Sequence, residues 1–211
     1  MKSSDLKPTV FVVDDDQSIR EMLELMLSSN GHQVSCYETP TKFLEEFDDQ
    51  PGCLLLDIRM PEMSGLAVQE ELIRRQVLIP IIFITGHGDI EMAVDCIQKG
   101  AFDFIEKPFR EQALLDKIDQ ALANDYEARQ SDRIKQEILQ RIDSLTGREK
   151  EIMNLIASGQ ANKVIAIDLG IAQGTVEIHR SRVMHKMGVR SVAQLMRMLV
   201  AADALTPASN S

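Results

Sequence analysis

Four short stretches end in residues able to handle a phosphoryl group, and each begins as an apolar run. Asp57 closes Cys53-Leu54-Leu55-Leu56 and precedes Ile58-Arg59-Met60-Pro61. Asp14-Asp15-Asp16 follows Val10-Phe11-Val12-Val13, and Thr85-Gly86 follows Ile81-Ile82-Phe83-Ile84. Lys107-Pro108 follows Phe102-Asp103-Phe104-Ile105-Glu106. Short apolar runs stopped by turn residues read as strands buried on both faces, the kind that parallel sheets covered by helices require. Ligands of such sheets gather at the carboxyl ends of the strands. If the four runs share one sheet, their ends bring acids, a hydroxyl and an ammonium beside Asp57. Carboxylate oxygens with room for water suit a hard cation such as Mg²⁺. With that cation, Lys107 and Thr85 around it, the Asp57 carboxylate becomes a place where phosphoryl charge is neutralised and hydrogen-bonded. Taken alone, Asp57 would be a surface acid opening a loop; the other strand ends argue against that.

The elements that must hold these residues follow from pattern. Residues 17–30 carry Ile19, Met22, Leu23, Leu25, Met26 and Leu27 as the apolar face of a helix that Gly31 stops. Gln33-Val34-Ser35-Cys36-Tyr37 alternates like a short strand toward one edge of a sheet. Residues 39–47 read as a helix with Pro40 at its first position, where the missing N–H costs little. Further helices are expected over 66–74, after Gly86-His87-Gly88-Asp89 with Asp89 as cap, and over 111–124. Strand and helix alternate five times, which predicts a doubly wound α/β domain with a five-stranded parallel sheet over residues 8–124.

Residues 125–143 are polar, lack Gly and Pro, and are rich in helix formers. Ile134, Ile138 and Ile142, with Leu139 and Leu145 beside them, make one apolar stripe on a helical linker. Two readings stay open: this helix packs on its own chain, or it is a continuous signalling helix that pairs with a second copy. Residues 144–204 read as a four-helix, all-α domain. Thr146-Gly147-Arg148-Glu149 is a capping box. Asn162 is expected to cap the second helix, Gln173, Gly174 or Thr175 the third, and Ser191 the fourth. Two short helices joined by a tight turn are a helix-turn-helix signal, and the second of the pair would enter a major groove. On it, Val176, Val183 and Met187 share one face, while Glu177, His179, Arg180, Ser181 and Arg182 lie largely off it. Arg180 and Arg182 have the chemistry for phosphates or guanine edges, and Glu177 for a cytosine amine.

Charge divides the chain in the same places. Residues 1–125 hold 11 Lys and Arg against 24 Asp and Glu, residues 126–143 hold 4 against 4, and residues 144–211 hold 8 against 5. An acidic first part and a mildly basic last part point to different partners. No apolar run approaches the roughly 20 residues of a membrane span, and the polar N-terminus does not look like a signal peptide. Cys36, Cys53 and Cys96 sit in apolar surroundings and read as reduced core thiols of a cytoplasmic protein.

Val12-Val13-Asp14-Asp15, Leu56-Asp57-Ile58-Arg59-Met60-Pro61, Ile84-Thr85-Gly86 and Glu106-Lys107-Pro108-Phe109 resemble the receiver domain of two-component response regulators, a flavodoxin-like fold. Residues 144–204 are similar to the LuxR-type helix-turn-helix. Gly86-His87-Gly88-Asp89 and Thr175-Val176-Glu177-Ile178-His179-Arg180 resemble the FixJ branch of the FixJ/NarL family in particular. The resemblance implies that a sensor histidine kinase phosphorylates Asp57, and that Asp14, Asp15, Asp57 and the backbone carbonyl of Arg59 hold Mg²⁺. It implies that Lys107 pairs with the phosphoryl group across a bond to Pro108 that is usually cis, that Thr85 moves toward it, and that Phe104 turns inward behind it. The resemblance also implies that Arg59 and His87 occupy loop positions that tune phosphoryl lifetime. A phosphorylated homodimer would then bind double-stranded promoter DNA through Thr175, Glu177, His179, Arg180, Arg182 and Lys186, with RNA polymerase as a further candidate partner. Two other readings compete. Asp14-Asp15-Asp16 after a strand also resembles aspartyl phosphatases that use Asp-x-Asp, and a regulator can bind DNA without needing phosphate. Neither explains the Asp57 strand and the Lys107-Pro108 ending together.

Overall fold

The computed structural model describes residues 7–86 and 90–203. His87, expected to tune phosphoryl lifetime, and Asp89, expected to cap a helix, lie outside the described residues, as does the tail 207–211. The chain divides into two compact units between Ala128 and Arg129.

In the first unit every apolar run is a strand. β1 (Thr9–Val13), β2 (Gln33–Tyr37), β3 (Gly52–Asp57), β4 (Ile81–Thr85) and β5 (Asp103–Glu106) lie parallel in the order β2-β1-β3-β4-β5. The three inner strands, β1, β3 and β4, are buried along their whole length, and β2, which alternates, forms an edge. Between them run α1 (Gln17–Ser29), α2 (Pro40–Glu46), α3 (Gly65–Arg74) and α4 (Ile90–Gln98), with α5 (Glu111–Asp143) after β5. The two-residue period of a strand splits the core into two layers. Phe11, Val13, Leu54, Leu56 and Phe83 pack with Phe43, Val68 and Leu72 on one face. Val10, Val12, Leu55, Ile82 and Ile84 pack with Leu23, Leu27, Leu114 and Ile118 on the other. Burying each such side chain is worth about 1.5–3 kcal/mol. Cys53 and Cys96 are free and buried, and Cys36 is half-buried; burial is the main reason the Cys36 thiol is pushed up to about 11.

One expectation for the helices of this unit fails. On α1 only part of the predicted apolar face is used: Leu23 and Leu27 are fully buried, but Leu25 is 72% exposed and Met22 44%. Two residues past Leu23 the helix has turned roughly 200°, so Leu25 points away from the sheet. The helix expected over 111–124 and the helical linker expected over 125–143 are one continuous α5, because no Gly, Pro or competing cap interrupts the chain between them. Its first part packs on the sheet through Leu114, Ile118 and Ala121. Asp125 is buried and accepts from the Gly52 amide at 3.0 Å, fastening α5 to the start of β3.

In the second unit, the end of α5 packs with α6 (Gly147–Ala157), α7 (Asn162–Asp168), α8 (Gln173–Met187) and α9 (Val192–Ala201) around one core. Ile138, Leu139, Ile142 and Leu145 all join that core, and Ile134 stays 53% exposed. The stripe is therefore mostly consumed within its own chain. The Thr146–Glu149 capping box forms, and Ser191 caps α9 through the Gln194 amide at 3.2 Å. Asn162 does not cap α7: Ala161 holds the cap position without a side-chain bond, and the Asn162 Oδ1 accepts instead from Arg180 at 3.1 Å. α8 starts at Gln173 behind Ala172, so none of Gln173, Gly174 and Thr175 serves as its cap. Among the described residues, no helix is long and apolar enough to cross a membrane.

Candidate functional site

Strand register brings the predicted residues to one rim. Asp57 is the last residue of β3 and pairs with Ile84; Thr85, the last of β4, pairs with Glu106 at the end of β5. Asp14 follows β1 and Lys107 follows β5. The Lys107 Nζ donates to Asp57 Oδ1 and to Asp14 Oδ2, each at 2.9 Å. Asp57 Oδ2 accepts from the Arg59 amide at 2.7 Å, and Asp14 Oδ1 from the Asp16 amide at 2.9 Å. Both carboxylates are buried. The Lys107–Pro108 peptide bond is cis.

One ammonium thus faces two buried carboxylates. Burial is the largest influence on Asp57 and raises its pKa; the nearby Asp14 adds to this, while Lys107 and the Arg59 amide work against it without cancelling it. Burial alone would lower Lys107, but its hydrogen bonds to Asp57 and Asp14 outweigh that and raise it. The two shifts agree on one conclusion: the site is short of positive charge. Such a pair of oxygen donors fits a hard cation that keeps much of its water. Asp15, the residue after Asp14, is exposed. Asp14, Asp15 and Asp57 would be the carboxylate ligands.

Thr85 is buried, and its hydroxyl donates to the Ile105 carbonyl at 3.4 Å. That is long for an O–H···O bond and easily exchanged for a better acceptor. Phe104, which pairs with Phe83 across the sheet, is half-buried against the core. Sequence reasoning missed three supports. Asp16 caps α1 through the Ser18 amide at 2.8 Å, for which an Asp just before a helix was sufficient signal. Arg20 donates to the Asp14 carbonyl at 2.7 Å. Gly65 lets the loop after Asp57 close, since a Cβ there would lie 2.4 Å from the Asp57 carbonyl oxygen.

In the second unit α8 buries Val176, Val183 and Met187 and exposes Thr175, Glu177, Ser181 and Arg182. Ile178, on the same outer side, is 56% exposed; an apolar residue left out among polar ones was visible in the sequence and passed over. Not every predicted contact is free. Arg180 is half-buried on Asn162, and His179 is half-buried with its Nδ1 enclosed and unpaired. Lys186 donates to Glu149 at 2.6 Å and to the Ser144 carbonyl at 3.2 Å.

A parallel α/β domain with an acid–lysine rim, followed by a helix-turn-helix unit, defines a class of two-domain regulators. Residues 10–119 match the response regulator receiver domain, and residues 143–199 match the bacterial regulatory proteins of the luxR family. The chain belongs to the two-component response regulators that join a receiver to a LuxR-type DNA-binding domain. It is 44% identical to nodulation protein W of Bradyrhizobium diazoefficiens over 91% of this chain and 85% of that protein. It is 39% identical to the transcriptional regulatory protein FixJ of Rhizobium meliloti over 92% of this chain and 95% of that one. Among solved structures it resembles the response regulator StyR, with a TM-score of 0.85 and 48% identity over 92% of this chain and 99% of that chain. In this family receivers are phosphorylated by sensor kinases, the LuxR-type domain binds DNA, and the proteins are transcriptional regulators.

Proposed function

We propose that Asp57 is the phosphoacceptor and that its phosphorylation switches DNA binding by α8. The single observation that carries this is the Lys107 ammonium shared between the buried carboxylates of Asp57 and Asp14. A carboxylate oxygen of Asp57 attacks the phosphorus of a phosphohistidine on the sensor kinase; the P–N bond breaks and the imidazole leaves with a proton from solvent. Receiver domains generally bind Mg²⁺ at this place, and when bound here it would offset charge on the transferring oxygens. Lys107 then leaves the Asp57 oxygen for the phosphoryl group. Thr85 gives up its long bond to Ile105 for a phosphoryl oxygen, and Phe104 moves into the space behind it.

Phosphorylated chains pair as a homodimer, so that two copies of α8 meet adjacent half-sites of a promoter. The exposed Thr175, Glu177, Ile178 and Arg182 are the base-facing set, with Ile178 suited to a thymine methyl. His179 and Arg180 contribute from the flank. RNA polymerase is a partner to be tested once the promoter is known. Intact-mass measurement with Mg²⁺ and a small phosphodonor should show one added phosphoryl group in the wild type and none in Asp57→Asn, with light scattering showing a dimer only in the former. Incorporation by Asp57→Asn, or wild-type phosphorylation without pairing, would overturn the corresponding half of the reading.

A further inference from the structure

The ends of α5 and α8 exchange caps. Arg141, in the last turn of α5, donates through Nη1 to the Met187 carbonyl at 3.0 Å, on the last residue of α8. Lys186, in the last turn of α8, donates to the carbonyl of Ser144, just past α5, at 3.2 Å. The last carbonyls of a helix have no partner within it and carry the negative end of its dipole, so a basic side chain arriving from outside satisfies both. Lys186 is held in turn by buried Glu149 of the α6 capping box, at 2.6 Å. Gly188 ends α8 with a φ of 69° and leaves room for the guanidinium: a Cβ there would lie 3.0 Å from Arg141 Nη1. Ile138 and Leu145 share a core with Val183 and Met187, so packing backs the polar contacts.

We propose that this clasp sets the position of α8 for reading DNA, with Arg141 and Lys186 as positioning residues and not phosphate contacts. The inference rests on α8 being the helix that meets DNA. It makes the end of α5 part of the reading apparatus, because any shift of that end is carried into α8 through the two caps.

The test uses the full chain and two duplexes: one recovered by the wild type from a randomised pool, and one scrambled. Affinities are measured across a salt series. Arg141→Ala should weaken the selected duplex about tenfold, the size of one lost base contact. The scrambled duplex and the salt slope should stay unchanged. Arg141→Lys, which keeps a donor for Met187, should restore most of the loss, and Lys186→Gln should leave the salt slope unchanged. A slope lowered by about one, with both duplexes weakened alike, is the signature of a phosphate contact and would overturn the proposal. So would an unaffected Arg141→Ala or an unrescued Arg141→Lys. Arg141→Gln takes the place of Arg141→Ala if that variant does not fold. Arg182→Ala runs alongside: if it leaves the selected duplex bound as tightly as before, the assignment of α8 itself fails, whatever Arg141 does.

Discussion

The surroundings of Asp57 work against its ionised form. Burial raises its pKa above the ordinary 3.8, and Asp14 adds to the effect. A folded-state pKa above the unfolded one means that the native state holds the proton more tightly. The resulting cost is absent below pH 3.8, grows as pH rises through the folded value, and is complete above it. Without Mg²⁺, Asp57→Asn should therefore be more stable than the wild type at neutral pH, with the advantage shrinking toward pH 4. Urea unfolding at several pH values measures this, and a less stable Asp57→Asn at pH 7 would contradict it. The acid, hydroxyl and lysine at the strand ends were legible because each follows a run that can only be a strand. The contact made by Lys186 was not, since the partner of a surface charge can lie far away in the chain: Lys186 meets Glu149, 37 residues earlier.

The loop from β3 into α3 must pass close to Asp57, the proposed phosphoacceptor, and Gly65 permits it. Its amide donates to the Ile58 carbonyl at 2.9 Å, and a Cβ would press on the Asp57 carbonyl oxygen at 2.4 Å. Because the obstacle is backbone inside a buried strand, Gly65→Ala should cost about 1–3 kcal/mol and slow phosphorylation of Asp57. Thermal unfolding and intact-mass time courses check the two effects. At the far end of α5, Ile138 is buried in the second unit and Ile134 is not. Ile138→Ala should destabilise α6 to α9 by about 2–5 kcal/mol, as seen by amide exchange, and Ile134→Ala should change little. A large effect of Ile134→Ala on self-association would revive pairing between linker helices. Element types were readable from period and caps. The continuity of α5 was readable only as an absence of stop signals. Asn162 misled because a good capping residue can sit one position inside the helix when another side chain, here Arg180, takes its oxygen.

Over the whole molecule, charge separates the two tasks. Residues 1–125 hold 24 acids against 11 bases, and residues 144–211 hold 8 bases against 5 acids. So modest a basic excess gives weak non-specific attraction to DNA, and in the proposed reading affinity comes from base contacts and from pairing two α8 helices on adjacent half-sites. Under that reading, phosphorylation acts as the switch by controlling the pairing. The most direct measurement is the affinity of the full chain for a duplex it has selected, with Mg²⁺, before and after treatment with a small phosphodonor, beside Asp57→Asn. The wild type should bind about tenfold tighter or better after treatment, and Asp57→Asn should not respond. Equal gains in both proteins, or no gain in a wild type shown by mass to be phosphorylated, would contradict the assignment of Asp57 as the switch for DNA binding.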